Sequence, residues 1–167
     1  MKQRILLALD GSENSTRAVE YLGDMIHGCT GLHITLFHVT TMPPELAEHR
    51  GAERPEMDAQ LAEELQERQR KWQEEIQETT EREIFLPAQR ILEEKDIPGT
   101  LSTIETKVHT HAQPDVALAI IQEAKSGGYG TIVLGKRGRS MMKEFLLGGV
   151  TCKVIHHIQQ CTIWVVE

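Results

Sequence analysis

The sequence predicts a single α/β domain, in which a five-stranded parallel sheet of strand order 3-2-1-4-5 carries helices on both faces. Short apolar runs alternate with segments of helical periodicity along the whole chain, which is typical of a parallel sheet. The first run, Ile5–Leu9, is apolar at every position, as in a strand that is covered on both faces. A length of 167 residues suits one domain, so we treat residues 1–167 as a single unit.

The first forty residues predict a β-α-β unit. After the strand Ile5–Leu9, the segment Asp10-Gly11-Ser12 has turn composition, and its serine or Asn14 can cap the following helix. Apolar residues at three- and four-residue spacing predict that helix over about 14–28. A second strand follows at His33–Val39. The crossover between the two strands should be right-handed.

Residues 40–96 form a long connection between the second and third strands. Prolines predict a loop over Thr40–Met57, with one turn of helix around Glu45–His49. The charged segment Asp58–Asp96 has a narrow apolar stripe and predicts a long helix, which Pro87 should kink or break at the preceding residue. We interpret the charges as a solvated face. A coiled coil that binds a partner is the alternative, although the apolar spacing is not a sustained heptad.

The second half of the chain continues the alternation. The predicted elements are a strand near a sheet edge at Leu101–Val108, a helix over about 114–126, a buried strand at Thr131–Leu134, a helix over about 148–159 and a last strand at Cys161–Val166. The last strand is apolar and lies at the other edge, where an exposed strand invites pairing. We therefore expect a two-fold homodimer through Cys161–Val166.

Composition argues against several classes of protein. The chain is 40% apolar and 26% charged, as in an ordinary soluble protein. Its net charge of −7 lacks the basic footprint of a general nucleic-acid binder and would not favour an anionic membrane surface. No apolar stretch approaches the roughly 20 residues of a membrane span, and the first apolar run is too short for a signal peptide. We expect a cytoplasmic protein with no nucleic-acid or membrane partner.

The cysteines Cys29, Cys152 and Cys161 are odd in number and have no C-x-x-C spacing. We expect buried, reduced thiols, as in a reducing cytosol. Cys152 falls near the start of the last predicted helix, where a thiolate can be stabilised. A structural role for it is still favoured over a reactive one.

A glycine-bearing loop follows the predicted fourth strand. Gly135 and Gly138 come directly after the strand, and Gly148-Gly149 begins the last helix. This arrangement gathers free backbone N–H groups, which is what a phosphate needs. The spacing is neither Walker A nor the dinucleotide motif, so on spacing alone a plain strand-to-helix turn is equally well supported. The topology can bring this loop to the turn at Asp10, at the sheet edge where such folds bind ligands.

Other polar residues give weaker signals. The pair His109 and His111 would need further ligands to bind a metal, and we interpret it as exposed loop histidines. His156 and His157 lie near a helix C-terminus, where a positive imidazolium is favourable and a structural role suffices. No Ser-His-Asp constellation can be placed. The cations beside the glycines favour contact with a phosphate, and they are Lys136, Arg137 and Arg139.

These motifs together resemble the universal stress protein family over nearly the whole chain. The resemblance rests on Leu7-Ala8-Leu9-Asp10-Gly11-Ser12, His38-Val39, Val133-Leu134-Gly135-x2-Gly138-x9-Gly148 and the terminal Thr162-Ile163-Trp164-Val165-Val166. It implies a flavodoxin-like or adenine-nucleotide α-hydrolase-like fold and a homodimer. It also implies the ATP-binding branch of the family, whose signature Gly-x2-Gly-x9-Gly is followed by Ser or Thr.

The resemblance implies a site for ATP, with or without Mg²⁺. It places Ala8, Leu9 and Asp10 against adenosine, and Val39 along the adenine pocket. The residues that it places at the strand end and around the phosphates are Leu134, Gly135, Arg137, Gly138, Gly148, Gly149, Val150 and Thr151. A pocket that takes AMP, ADP or another anion, or that stays empty, is the alternative.

One departure from the family pattern bears on affinity. Where the pattern has Ser or Thr directly after the third glycine, this chain has Gly149, so a hydroxyl donor is lost. A neutral hydrogen bond contributes about 0.5–1.5 kcal/mol, so nucleotide affinity should fall roughly tenfold if nothing replaces it. Thr151 stands two residues further on.

Three functions therefore fit the sequence. The favoured one is a stress-response regulatory protein, in which ATP sets conformation or the choice of an unknown protein partner. The second is a dimeric interaction protein that needs no nucleotide and works through residues 40–96. The third is a slow ATPase or self-phosphorylating protein, and we expect at most weak ATP hydrolysis.

Overall fold

The computed structural model describes residues 3–47, 59–95, 97, 103–111, 115–139 and 146–167. The strands are β1 (Gln3–Ala8), β2 (Leu32–Thr41), β3 (Thr103–His111), β4 (Thr131–Gly135) and β5 (Thr162–Val166). The helices are α1 (Glu13–Met25), α2 (Pro44–Ala47), α3 (Ala59–Thr80), α4 (Leu86–Glu94), α5 (Val116–Gly127) and α6 (Gly149–His157).

The strands form one sheet in the order β3-β2-β1-β4-β5, and all the pairings are parallel. This confirms the predicted fold class and strand order, with β3 and β5 at the two edges. Because β1 pairs with both β2 and β4, the turns that follow these strands emerge side by side at the carboxyl edge of the sheet.

The sheet has a hydrophobic core on each face, and β1 contributes to both. Leu7 belongs to the core that α1 and α4 cover, together with Leu22 and Leu92. Its neighbour Leu6 belongs to the opposite core, under α5. Side chains of successive strand residues point to opposite faces, so a strand covered on both faces must be apolar at every position. The unbroken apolar run at the start of the sequence has this cause.

The long charged segment is helical, and its irregularity lies before the proline. A π-helical turn, Glu81–Phe85, joins α3 to α4, and Pro87 occupies the first turn of α4. A proline inside a helix clashes with the carbonyl of the preceding turn, and a wider turn there relieves the clash. The chain therefore stays helical past Pro87, where the sequence predicted a kink or break. None of the helices in the described ranges is long and apolar enough to span a membrane.

The third strand differs from its predicted bounds, and the histidine prediction was wrong as a result. β3 continues to His111, because β2 runs on to Thr41 and pairs with it along this length. His109 is half-buried in the strand, with its ring centroid 6.1 Å from that of Phe37. Of the predicted 40–57 loop, α2 forms the helical turn, and positions 48–57 lie outside the described residues, as do 101 and 102.

The cysteines are free thiols, but they are not buried as predicted. Cys29 is exposed in the loop after α1, and Cys152 and Cys161 are half-buried. Partial burial raises the pKa of the Cys161 thiol. The expectation of buried thiols failed because Cys29 and Cys161 lie outside the helices and strands, and Cys152 lies in α6 beside a cavity.

Candidate functional site

A cavity of about 1020 Å³ opens at the carboxyl edge of the sheet, where β1, β2 and β4 end. Its volume is at the upper end of the roughly 300–1,000 Å³ of typical ligand pockets. The residues that the family resemblance places at the nucleotide site all lie in its wall, namely Ala8, Leu9, Asp10, Val39, Leu134, Gly135, Arg137, Gly138, Gly148, Gly149, Val150 and Thr151.

Two turns that are far apart in sequence meet at this cavity. The carboxylate of Asp10 accepts hydrogen bonds from both: Oδ1 from the backbone N–H of Ser12 at 3.0 Å, and Oδ2 from that of Arg139 at 2.9 Å. The side-chain amide of Asn14 donates to the carbonyl of Arg137 at 3.2 Å. The turn after β1 therefore holds the loop after β4, as the topology predicted.

Close approach leaves little room for a side chain at three glycines of the site. A Cβ on Gly138 would lie 2.5 Å from Asp10 Oδ2, and one on Gly135 would lie 2.9 Å from the backbone carbon of Asn14. A Cβ on Gly148 would lie 3.2 Å from the Cα of a neighbouring loop residue. Gly149 differs, because none of the described atoms would lie within 4 Å of a Cβ added there. This position has room for a side chain.

The cavity wall includes the N-terminus of α6. Gly148 is the N-cap of this helix and has no side chain to satisfy the first-turn amides. The first backbone N–H groups of a helix have no acceptor within it, so those of Gly149 and Val150 are available to an anion. Thr151 is buried and its hydroxyl donates to the carbonyl of Gly135 at 2.9 Å. Because this hydroxyl is engaged within the protein, it does not replace the donor missing at Gly149.

The basic residues of the loop divide into two groups. Arg137 and Arg139 line the cavity, and Arg137 Nε is buried without a hydrogen-bond partner among the described residues. Lys136 is not in the cavity wall. Its Nζ pairs with Glu167 at 2.5 Å and lowers the pKa of that carboxyl. The expected phosphate contact of Lys136 is therefore wrong, and two of the three predicted cations face the site.

His38 also lines the cavity, although it is not among the predicted site residues. Its Nδ1 lies 2.7 Å from the carbonyl oxygen of Leu9. A carbonyl can only accept, so Nδ1 carries the hydrogen and Nε2 is the atom that titrates. Burial lowers the pKa of His38 and the charge of Arg139 adds to this, whereas the Leu9 hydrogen bond and Asp10 oppose it. The only sequence signal was its place at the strand end before Val39.

This shift predicts a pH dependence of stability. The folded-state pKa of His38 lies below its ordinary value of 6.5, so the unfolded chain binds the proton first as the pH falls. The contribution of neutral His38 to the free energy of unfolding is fully present above pH 6.5, and it is lost as the pH falls from there through the lowered folded-state pKa. We expect the Tm of the wild type to fall more steeply between about pH 7 and pH 5 than that of His38→Asn, which keeps a donor for Leu9. Equal slopes would contradict the assignment.

The rest of the wall was also not predicted. Its apolar members are Phe37, Val116, Ile120 and Leu147, and its polar members are Ser15, Thr40, Thr41, Cys152, Lys153, His156 and His157. Each histidine of the pair in α6 donates from Nδ1 to a carbonyl of the preceding turn, which fits the predicted structural role. No cluster of His, Cys, Asp and Glu suited to a metal ion occurs among the residues that the structure describes.

Fold and site together define a doubly wound parallel α/β protein with a ligand-sized cleft at the carboxyl edge of its sheet. The sequence model of the universal stress protein family matches residues 1–167. The chain therefore belongs to the universal stress protein family. In a comparison with curated proteins, no sequence was significantly similar to it.

Solved structures share the fold at low sequence identity. The hypothetical protein MJ0577 is 22% identical, with a TM-score of 0.66 and coverage of 99% of this chain and 96% of that one. A universal stress protein in complex with cAMP is 18% identical, with a TM-score of 0.59 and coverage of 99% and 96%. The universal stress protein from Archaeoglobus fulgidus in complex with dAMP is 15% identical, with a TM-score of 0.54 over 100% of both chains.

Proposed function

We propose that this protein binds an adenine nucleotide, with ATP as the favoured ligand, in the cavity at the carboxyl edge of its sheet. The observation that carries the proposal is that one ligand-sized cavity is lined by the α6 N-terminus and by Arg137, whose Nε has no hydrogen-bond partner in the described part of the chain. Helix amides and a guanidinium are the donors that a phosphate chain takes. The cAMP and dAMP complexes of two proteins of the same fold support a nucleotide as the ligand.

The nucleoside would occupy the apolar part of the cavity. Val39 near the end of β2, and Val116 and Ile120 on α5, provide the apolar walls that a planar base needs. The phosphates would then extend toward Arg137 and the first turn of α6. In a protein of net charge −7, the two arginines of the loop supply the local positive charge.

Mg²⁺ would be carried mainly by the nucleotide. Asp10 is the one carboxylate among the described residues of the wall, and both of its oxygens already accept backbone N–H groups. Mg²⁺ in such sites is usually held through substrate phosphates and water. The same two bonds make Asp10 a poor general base, which favours ATP as a regulatory ligand of the stress response with at most weak hydrolysis.

Thermal unfolding tests the proposal directly. A ligand that binds only the folded state raises its stability, by about 2.7 kcal/mol at a hundredfold excess over Kd. We expect Mg-ATP to raise the Tm and equimolar inorganic phosphate to leave it unchanged. A protein that works without nucleotide, through dimerisation and the 40–96 segment, would give no shift with ATP. Steady release of phosphate or transfer of label to the protein would instead indicate the ATPase or self-phosphorylating alternative.

The edge strand β5 is the proposed dimer interface. Its outer pairing edge has no partner strand within the sheet, and its side chains are half-buried or exposed, with Val165 37% exposed. Pairing of this edge with a second copy would bury it around a two-fold axis. We expect a dimer at micromolar concentration in sedimentation velocity, and a shift toward monomer for Val165→Lys. A wild type that sediments as a monomer would contradict this interface.

A further inference from the structure

We infer that Asp10, together with Asn14, is a positioning residue that holds the loop after β4 in the shape that receives phosphate. We call this pair the clamp. The resemblance to the family instead implies that Asp10 contacts the nucleoside. The inference rests on the proposed nucleotide site and names a different role for a residue within it.

The carboxylate of Asp10 is already used by the protein. Oδ1 closes its own turn through the N–H of Ser12, and Oδ2 accepts the N–H of Arg139, which is 129 positions away in sequence. Hydrogen bonds to an ionised acceptor are stronger than those between neutral groups. The Oδ2 atom also lies where a side chain at Gly138 would stand, so loop and carboxylate are in close contact. Both oxygens thus fix backbone groups at the rim of the cavity.

Asn14 holds the same loop from the other side of Gly138. Its Nδ2 donates to the carbonyl of Arg137 at 3.2 Å. Its backbone also packs against Gly135, where an added Cβ would come within 2.9 Å. The clamp therefore fixes a carbonyl and an amide on the two sides of Gly138, and both contacts come from the turn after β1.

A loop held in this way is ordered before the ligand arrives. Ordering a loop on binding costs free energy, and a preorganised site avoids that cost. The loop carries Arg137, and both it and the α6 N-terminus line the cavity, so the free energy saved by preorganisation strengthens binding of the phosphate part of the ligand. Loss of the clamp should weaken ATP binding and leave adenosine binding unchanged. If Asp10 contacted the nucleoside, both ligands would be weakened alike.

The first experiment measures the loop without any ligand. In Asp10→Asn one acceptor oxygen becomes an NH₂ donor, so the backbone N–H groups of Ser12 and Arg139 compete for the one oxygen that remains. We expect hydrogen exchange of the Arg139 amide to become about tenfold faster, and faster also in Asn14→Ala. Asp24→Asn is the matched control, because Asp24 is a surface residue paired with Lys95 and lies outside the cavity. Unchanged exchange in both clamp variants would overturn the inference.

The second experiment measures Kd for Mg-ATP and for adenosine by calorimetry. We expect a loss of about tenfold for ATP, with adenosine within twofold of the wild type, in both clamp variants. Equal losses for the two ligands, or none, would overturn the positioning role. If Asp10→Asn does not fold, Asn14→Ala decides. If the wild type binds neither ligand, the proposed function fails, whereas the exchange experiment still decides whether the clamp holds the loop.

Discussion

Gly138→Val is expected to abolish the thermal shift with Mg-ATP in a protein that remains folded. A Cβ at this position would lie 2.5 Å from Asp10 Oδ2, which is far inside van der Waals contact. Either the carboxylate or the loop must move, and both arrangements misplace Arg137 and Arg139. Gly138 is exposed, so the change does not enter the hydrophobic core. Overpacking of this kind costs about 1–3 kcal/mol, and the upper part of this range matches the roughly 2.7 kcal/mol that a hundredfold excess of ligand supplies, so the shift is lost.

The matched control is Gly130→Val, which introduces the same side chain outside the cavity. A Cβ on Gly130 would meet nothing within 4 Å of the described atoms, and the residue lies between α5 and β4. We expect this variant to keep the shift with Mg-ATP. The far-ultraviolet circular dichroism of both variants should match that of the wild type. A folded Gly138→Val protein that keeps the full shift would show that the ligand does not use this loop.

The fold was predictable because its signals are local. Apolar runs such as that of β1 and three- and four-residue periodicity within the helices identify the elements, and the parallel topology follows from their alternation. Ser12 was predicted as a candidate cap and accepts a hydrogen bond from the N–H of Ser15. Strand length was less predictable. β3 runs to His111 only because β2 offers a partner up to Thr41, and no property of the third strand alone specifies that.

The position of the candidate site was predictable as the place where two turns meet, but the contacts within it were not. Glycine spacing and strand neighbours bring two turns to one edge, whereas the bond between Asp10 and Arg139 joins residues 129 positions apart. Lys136 and Arg137 are adjacent and both are cationic, yet of the two only Arg137 lines the cavity. The alternative partner of Lys136 is Glu167, at the far end of the chain. His38 was missed for the same reason, because its bond to Leu9 exists only in the fold.

The hydroxyl at Thr151 shows how a sequence pattern can mislead at short range. It stands two residues after Gly149 and could be taken for a replacement of the missing donor. In the structure it lies on the buried side of α6 and donates to Gly135, at the end of β4. Residues two apart in a helix lie on nearly opposite sides of it, so a donor at position 151 cannot take the place of one at position 149. The hydroxyl donor that the family pattern has at position 149 is therefore not replaced by Thr151.

Gly149→Ser is accordingly expected to raise the affinity for ATP by up to about tenfold, with adenosine affinity unchanged. The new side chain has room, because nothing described lies within 4 Å of its Cβ. Its hydroxyl would add a donor at the first residue of α6, beside Arg137. Calorimetric titration with Mg-ATP measures the gain, since affinity is compared directly between variants.

Gly149→Ala separates the hydroxyl from the backbone effect of removing a glycine. Both variants restrict the unfolded chain and favour the helix, so both should raise the Tm of the free protein by a similar amount. Only the serine variant should bind ATP more tightly. Equal ATP affinities in the two variants would mean that no phosphate approaches position 149. The ligand would then have to be placed elsewhere in the cavity, away from the α6 N-terminus.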